Sequence, residues 1–299
     1  MIRRPSRAPA SGRPDGSALL DRRAVVRFGL AAMLAGMAGF ALAPRARAQQ
    51  FGGFDFSGSS APIEIEADEG IEWRRNEKTY VARGNAHVKR GDLSVDADRI
   101  SAHYRDTPSG GTDIYRITAE GNVKLTSASD TIVGDVATYD LDQGSFIVTG
   151  QNLRAETKGR VLTARDSLEY WEKQQALVAR GNAEVTEGNR KVRADILTGY
   201  LRKNADGRTE LYQVEATGNV RIRRGEEYAS AAQAVYNLDS DIATLSGSVK
   251  ITRGENQLNG DYAEFNMRTG VSRILSKPGS GARVHTLIVP NQPPSATAP

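Results

Sequence analysis

The chain has 299 residues, is 39% hydrophobic but only 6% aromatic, contains no cysteine and carries a formal charge of +4. The missing cysteines exclude a disulfide framework, a thiolate nucleophile, a Cys-ligated metal and a lipidated Cys. Residues 1–48 hold nine Arg, no Lys and two Asp, a net of +7, so the other 251 residues carry −3; a nucleic-acid binder would keep its basic stripe in the folded part.

The first 48 residues predict a signal peptide. Arg22, Arg23 and Arg27 form a charged region, Phe28 to Ala43 is an apolar run of 16 residues, and Ala46-Arg47-Ala48 precedes Gln49 as a cleavage site. The alternative is an uncleaved anchor, for which 16 residues with three Gly fall short of the roughly 20 a spanning helix needs. Asp21-Arg22-Arg23 also resembles a twin-arginine signal, a weak pattern in any basic leader. Residues 49–61, rich in Gly, Ser and Phe, predict a flexible lead-in. Residues 62–289 form the repeat domain, and residues 290–299, with four Pro, predict a disordered tail.

Within 62–289 the pattern apolar–x–Gly–Asn/Ser–apolar–x–apolar recurs. Ala82-Arg83-Gly84-Asn85-Ala86-His87-Val88 and Ala216-Thr217-Gly218-Asn219-Val220-Arg221-Ile222 are two copies. The glycines stand at 84, 121, 150, 181, 218 and 247, with spacings 37, 29, 31, 37 and 29, so the domain is a tandem duplication of a 97-residue block of three units. After Gln151, an inserted residue, the offset falls to 96. Apolar and polar residues alternate around each Gly, as in Tyr115, Ile117, Ala119, Gly121, Val123, Leu125, which predicts long strands with one buried face. Asp142-Gln143-Gly144, Pro108-Ser109-Gly110-Gly111 and Asn204-Ala205-Asp206-Gly207 read as turns between them. A Gly in mid-strand marks a bulge that bends the sheet, or a close approach of ligand to backbone.

The alternating positions favour small aliphatic residues, which suggests an interior with room for an acyl chain; a tightly wound β-helix would choose them too. His87, His103 and His285 have no metal-ligand spacing and read as surface residues. The pairs Asp96/Asp98, Asp140/Asp142 and Asp239/Asp241 lack a calcium-loop pattern and read as solvated turn carboxylates. Trp73 and Trp171 read as strand-end residues. No catalytic motif, metal site or cofactor site is expected. A carbohydrate-active β-helix enzyme is the rival class; it would need a carboxylate pair in a cleft and coils of near-constant length.

The repeated Ala-x-Gly-Asn-Val-x-Leu strands, followed by strands such as Ala137-Thr138-Tyr139-Asp140, resemble the OstA-like family of lipopolysaccharide transport proteins over roughly residues 61–289. The resemblance implies an all-β fold, an open, V-shaped antiparallel β-jellyroll with a hydrophobic interior. It implies a periplasmic carrier of lipid A acyl chains, working between an anchored inner-membrane partner and an outer-membrane translocon, with end-to-end self-association. An anchored inner-membrane member of the same family is the nearest alternative. On this basis the acyl-binding residues are Ile117, Val123, Leu125, Val148, Val214, Val220, Ile222, Leu245, Val249 and Ile251, all on the apolar side of their strands. An open stack leaves two terminal strands unpaired. The expected partner edges are therefore Ile63 and Ile65 at the start and Val284, Thr286 and Ile288 at the end.

Overall fold

The computed structural model describes residues 64–287 except 109, 158, 206, 208 and 277–282. The expected signal peptide, lead-in and tail, together with Ile63 and Ile288, lie outside the described residues.

The expected all-β fold holds: 18 strands form one antiparallel sheet, and no helix occurs among the described residues. The chain runs back and forth in 14 transverse rungs. The first is β1 (Glu64–Glu66) with β2 (Gly70–Arg74), followed by β3 (Thr79–Arg90), β4 (Leu93–Asp106), β5 (Thr112–Thr126) and β6 (Asp130–Asp140). The next two rungs are each split, into β7 (Ser145–Thr149) with β8 (Leu153–Thr157), and β9 (Arg160–Ala164) with β10 (Ser167–Trp171). Six unbroken rungs follow: β11 (Ala176–Glu187), β12 (Arg190–Lys203), β13 (Thr209–Arg224), β14 (Glu227–Asn237), β15 (Ile242–Arg253) and β16 (Asn256–Asn266). The last rung is β17 (Val271–Leu275) with β18 (His285–Leu287).

From the first rung to β16 the rungs bend at the same height, dividing the sheet into two half-sheets that share a spine. On β3, Gly84 and Asn85 oppose the single residue Asp98 of β4, a bulge that steps the register from Arg83↔Arg99 to Ala86↔Ala97. Gly121-Asn122, Gly181-Asn182, Gly218-Asn219 and Gly247-Ser248 repeat the arrangement. The two residues of each pair have φ between 44° and 84°, a region open to Gly and tolerated by Asn. The mid-strand glycines are therefore bends, and the first of their two expected roles is the one realised. The insertion after Gln151 also finds its place: with Gly150, Gln151 and Asn152 at the spine, β7 and β8 separate, whereas the equivalent β15 runs through Gly247-Ser248 unbroken.

All pairings are antiparallel, which removes the parallel β-helix on which the rival enzyme class rested. Among the described residues no pairing joins the first rung to the last, so the sheet stays open at both ends.

Candidate lipid-binding interior and sheet edges

The spine is held by a ladder of small polar contacts. The Nδ2 atoms of Asn85, Asn122 and Asn219 donate to Asp68, Asp98 and Asp195 of the preceding rung, and the Gln151 amide donates to Asp135. A Cβ on Gly121 or Gly218 would fall inside the carboxylates of Asp98 and Asp195. Where the Asp is replaced, by Ala232, its Asn counterpart is replaced too, by Ser248.

Inward-facing residues beside the spine belong to one core cluster drawn from both half-sheets, in which 15 of 31 buried residues are Ala. Small residues here do not leave room, contrary to the expectation from composition. A Cβ on Gly134 would stand 2.5 Å from Val148 of the other half-sheet, and one on Gly260 would stand 2.6 Å from Ile274. The halves are closest at the bend, so small residues are needed there to let them meet.

One step farther from the spine, each half-sheet carries a row that crosses every rung. In the half-sheet containing β2, Trp73, Tyr80, Tyr139, Phe146, Tyr170, Tyr236 and Phe265 align with Ile117, Leu177 and Val214 among others. In the half-sheet containing β1, the row runs Ile65, Val88, Val95, Leu125, Ile132, Ala155, Leu162, Val185, Val192, Ile222, Ala229, Ile251, Leu258 and ends at Thr286. The second row joins the two expected edges without a polar break.

The ten expected acyl-binding residues all fall on the inward face. Val148 and Leu245 flank the spine in one half, as do Val123, Val220 and Val249 in the other; Leu125, Ile222 and Ile251 lie in the aliphatic row. These eight are at most 2% exposed, while Ile117 and Val214 in the aromatic row are half-buried. The aromatic row itself escaped sequence reasoning. Its signal was present in Tyr139 and Tyr236, 97 residues apart, but their neighbours come from other rungs. Tyr236 is fully buried and donates to Asp241 Oδ1 at 2.6 Å; burial first, then the carboxylate, pushes its phenol above the ordinary range.

Both open ends expose apolar surface. At the first rung Ile65, Ile71 and Trp73 (51%) are exposed; at the last, Val271, Leu275, Val284 and Leu287 (58%) are. Thr286 is exposed and pairs with Leu258. The expected edges thus cover only one half-sheet: β2 and β17 form the edges of the other. Trp73 lies next to the end of β2 and donates from Nε1 to Tyr104 Oη at 2.8 Å; Trp171 closes β10.

The acidic pairs are only in part the expected turn groups: Asp142, Asp239 and Asp241 lie in turns, the first two exposed, whereas Asp96, Asp98 and Asp140 belong to strands. Asp96 and Asp98 lie within β4, the first facing His87 Nδ1 at 2.7 Å and the second accepting from Asn122. Asp140 is buried and bonded to Arg116 at 2.8 Å; that bond, reinforced by the Gln143 amide, holds its carboxyl below the ordinary range. Asp142 and Asp239 each take a two-pronged contact, from Arg105 and Arg202. Glu169 faces opposed influences. Burial pushes it up, but bonds from Ser167, Trp171 and Arg180 outweigh burial and hold it low. His87 and His103 are half-buried, not fully at the surface as expected, and His103 Nδ1 lies 3.1 Å from Thr79 Oγ1; His285 is exposed.

The model of the family described as "LptA/(LptD N-terminal domain) LPS transport protein" matches the chain twice, over residues 64–166 and 162–271. The protein R00383 of Rhizobium meliloti (strain 1021) is 28% identical over 129 residues, 42% of this chain and 67% of that protein. Among solved structures, LptH of Pseudomonas aeruginosa, described as the LptA-homologous periplasmic component of the lipopolysaccharide transport device, is 20% identical. It covers 44% of this chain and 95% of its own, with a TM-score of 0.37.

Proposed function

Because the chain belongs to the LptA/(LptD N-terminal domain) LPS transport protein family, we propose that it is a periplasmic carrier that holds lipid A acyl chains against its inward face and passes them from the inner to the outer membrane. The observation that carries this reading is the aliphatic row from Ile65 to Leu258, an apolar track without interruption between two open ends. Each CH₂ moved from water onto such a surface gains about 0.8 kcal/mol, so several acyl chains supply ample affinity. First contact falls on the half-buried Ile117 and Val214; the eight fully buried residues engage the lipid as the half-sheets part.

The open ends serve the same reading. Unpaired strand edges flanked by Ile71, Trp73, Leu275 and Leu287 suit addition of another strand, either a second copy, an anchored inner-membrane partner or an outer-membrane translocon. The two ends differ in sequence, so copies join head to tail into an open filament.

Photo-crosslinkers at Ile117, Leu125 and Ile222 capture lipopolysaccharide on this proposal, and one at the outward Lys124 does not. Equal capture from both faces would overturn it. Sequencing the N-terminus of the cellular protein separates a carrier released near Gln49 from an anchored, full-length member.

A further inference from the structure

The two blocks differ on the outward face of the half-sheet that contains β1. In β4 and β5 of the first block the opposed outward pairs are Ser94–Thr126 and Asp96–Lys124. At the same positions 97 residues later, in β12 and β13, they are Lys191–Arg223 and Arg193–Arg221. Like charges placed directly opposite destabilise a sheet, and here two such pairs lie side by side. Lys250 extends the group across Ser230, and all five cations are exposed.

Little nearby offsets them. Glu184, opposite Arg193, reaches Lys191 Nζ at 2.9 Å. Among the described residues the side chains of Arg193, Arg221 and Lys250 have no hydrogen-bond or ion-pair partner. The other half-sheet shows the contrast: its opposed pair Arg83–Arg99 is flanked by Glu72 at 3.9 Å and Glu120 at 3.6 Å. Beside the uncompensated cations stands exposed Tyr228, its ring 5.4 Å from the Arg223 guanidinium, and the same transverse row ends at exposed Leu287.

We propose that this face docks the protein on the phosphate-bearing surface of an anionic membrane. Guanidinium groups match phosphate geometry, and rungs about 4.8 Å apart present them as a closely spaced array. Exposed tyrosine among cations suits the water–lipid boundary. An acidic protein segment fits less well. β12 to β15 are paired on both sides, so they offer a peptide no free backbone edge, and exposed Tyr228 stands among the cations.

The test is co-sedimentation of the protein, isolated from the cells that make it, with phosphatidylcholine vesicles with and without phosphatidylglycerol. The parent binds only the anionic vesicles and is released by salt. The double variant Lys191→Ser/Arg193→Asp brings in the side chains of Ser94 and Asp96 of the first block, so that Arg221 faces a carboxylate as Lys124 does, and keeps its fold by circular dichroism. It binds roughly tenfold or more weakly, given the attraction of each basic residue to an anionic surface. Lys89→Ser/Lys124→Gln in the first block leaves binding unchanged, and Arg221→Gln gives an intermediate loss. The proposal is overturned if the parent ignores anionic vesicles, even while binding an acidic polypeptide. It is likewise overturned if the second-block variants bind as the parent does, or if the first-block variant loses as much.

Discussion

Asp195 and Gly218 show how one residue of the spine constrains the next. With φ at +77° and the Asp195 carboxylate where a Cβ would be, Gly218→Ala adds backbone strain to a steric clash. We expect a loss of about 1–3 kcal/mol in urea unfolding. Asp195→Ala in the same background relieves the clash but not the strain, and recovers only part. Asp140 gives a pH-dependent counterpart. Its carboxyl is held low by Arg116 and the Gln143 amide, so its contribution is complete above the ordinary carboxylate range and disappears as pH falls through the depressed value. Asp140→Asn therefore lowers the urea midpoint at neutral pH, and the gap from the parent closes on acidification. A gap of constant size would contradict the assignment.

At the scale of elements, the duplication is written in the contacts as well as in the strands. Arg105 clamps Asp113 and Asp142, and Arg202 clamps Glu210 and Asp239, each atom set displaced by 97 residues. These clamps tie the tip of a long hairpin to the next turn. Arg202→Lys keeps the charge but loses the two-pronged geometry, for an expected cost of about 1 kcal/mol or less at this exposed site. The split rung β7–β8 offers a sharper test. Deleting Gln151 leaves Gly150-Asn152, the arrangement that the unbroken rungs use. The variant should fold and match the parent to within about 1 kcal/mol, because the lost amide bond to Asp135 is a single exposed contact. Failure to fold would show that the break is required by the junction between blocks.

At the largest scale, the described residues form a sheet of 14 rungs in which no pairing joins the first to the last, and both ends carry exposed apolar residues. Leu275→Lys/Leu287→Lys places charge on both strands of the last rung. If copies join end to end as proposed, the parent should lengthen with concentration in sedimentation velocity and this variant should remain a single copy. Assembly equal to that of the parent would rule out end-to-end pairing through this edge.

The sequence by itself determined the strands, their inward faces and the height of every bend. Alternation and the Gly-Asn step are local properties, and a 97-residue repeat copies them in register. It also placed all ten interior residues on the correct face, from Ile117 to Ile251. The tertiary structure alone decided what lies beside what. Seven aromatic residues from Trp73 to Phe265 form one row, Asp96 and Asp140 find partners on other strands, and each end has two edge strands instead of one. Lys191 meets Arg223 for the same reason. Cross-strand neighbours depend on the exact residue at which each hairpin closes and on the one-residue step of each bulge across the strand pair, and the pattern along a single strand does not set that register.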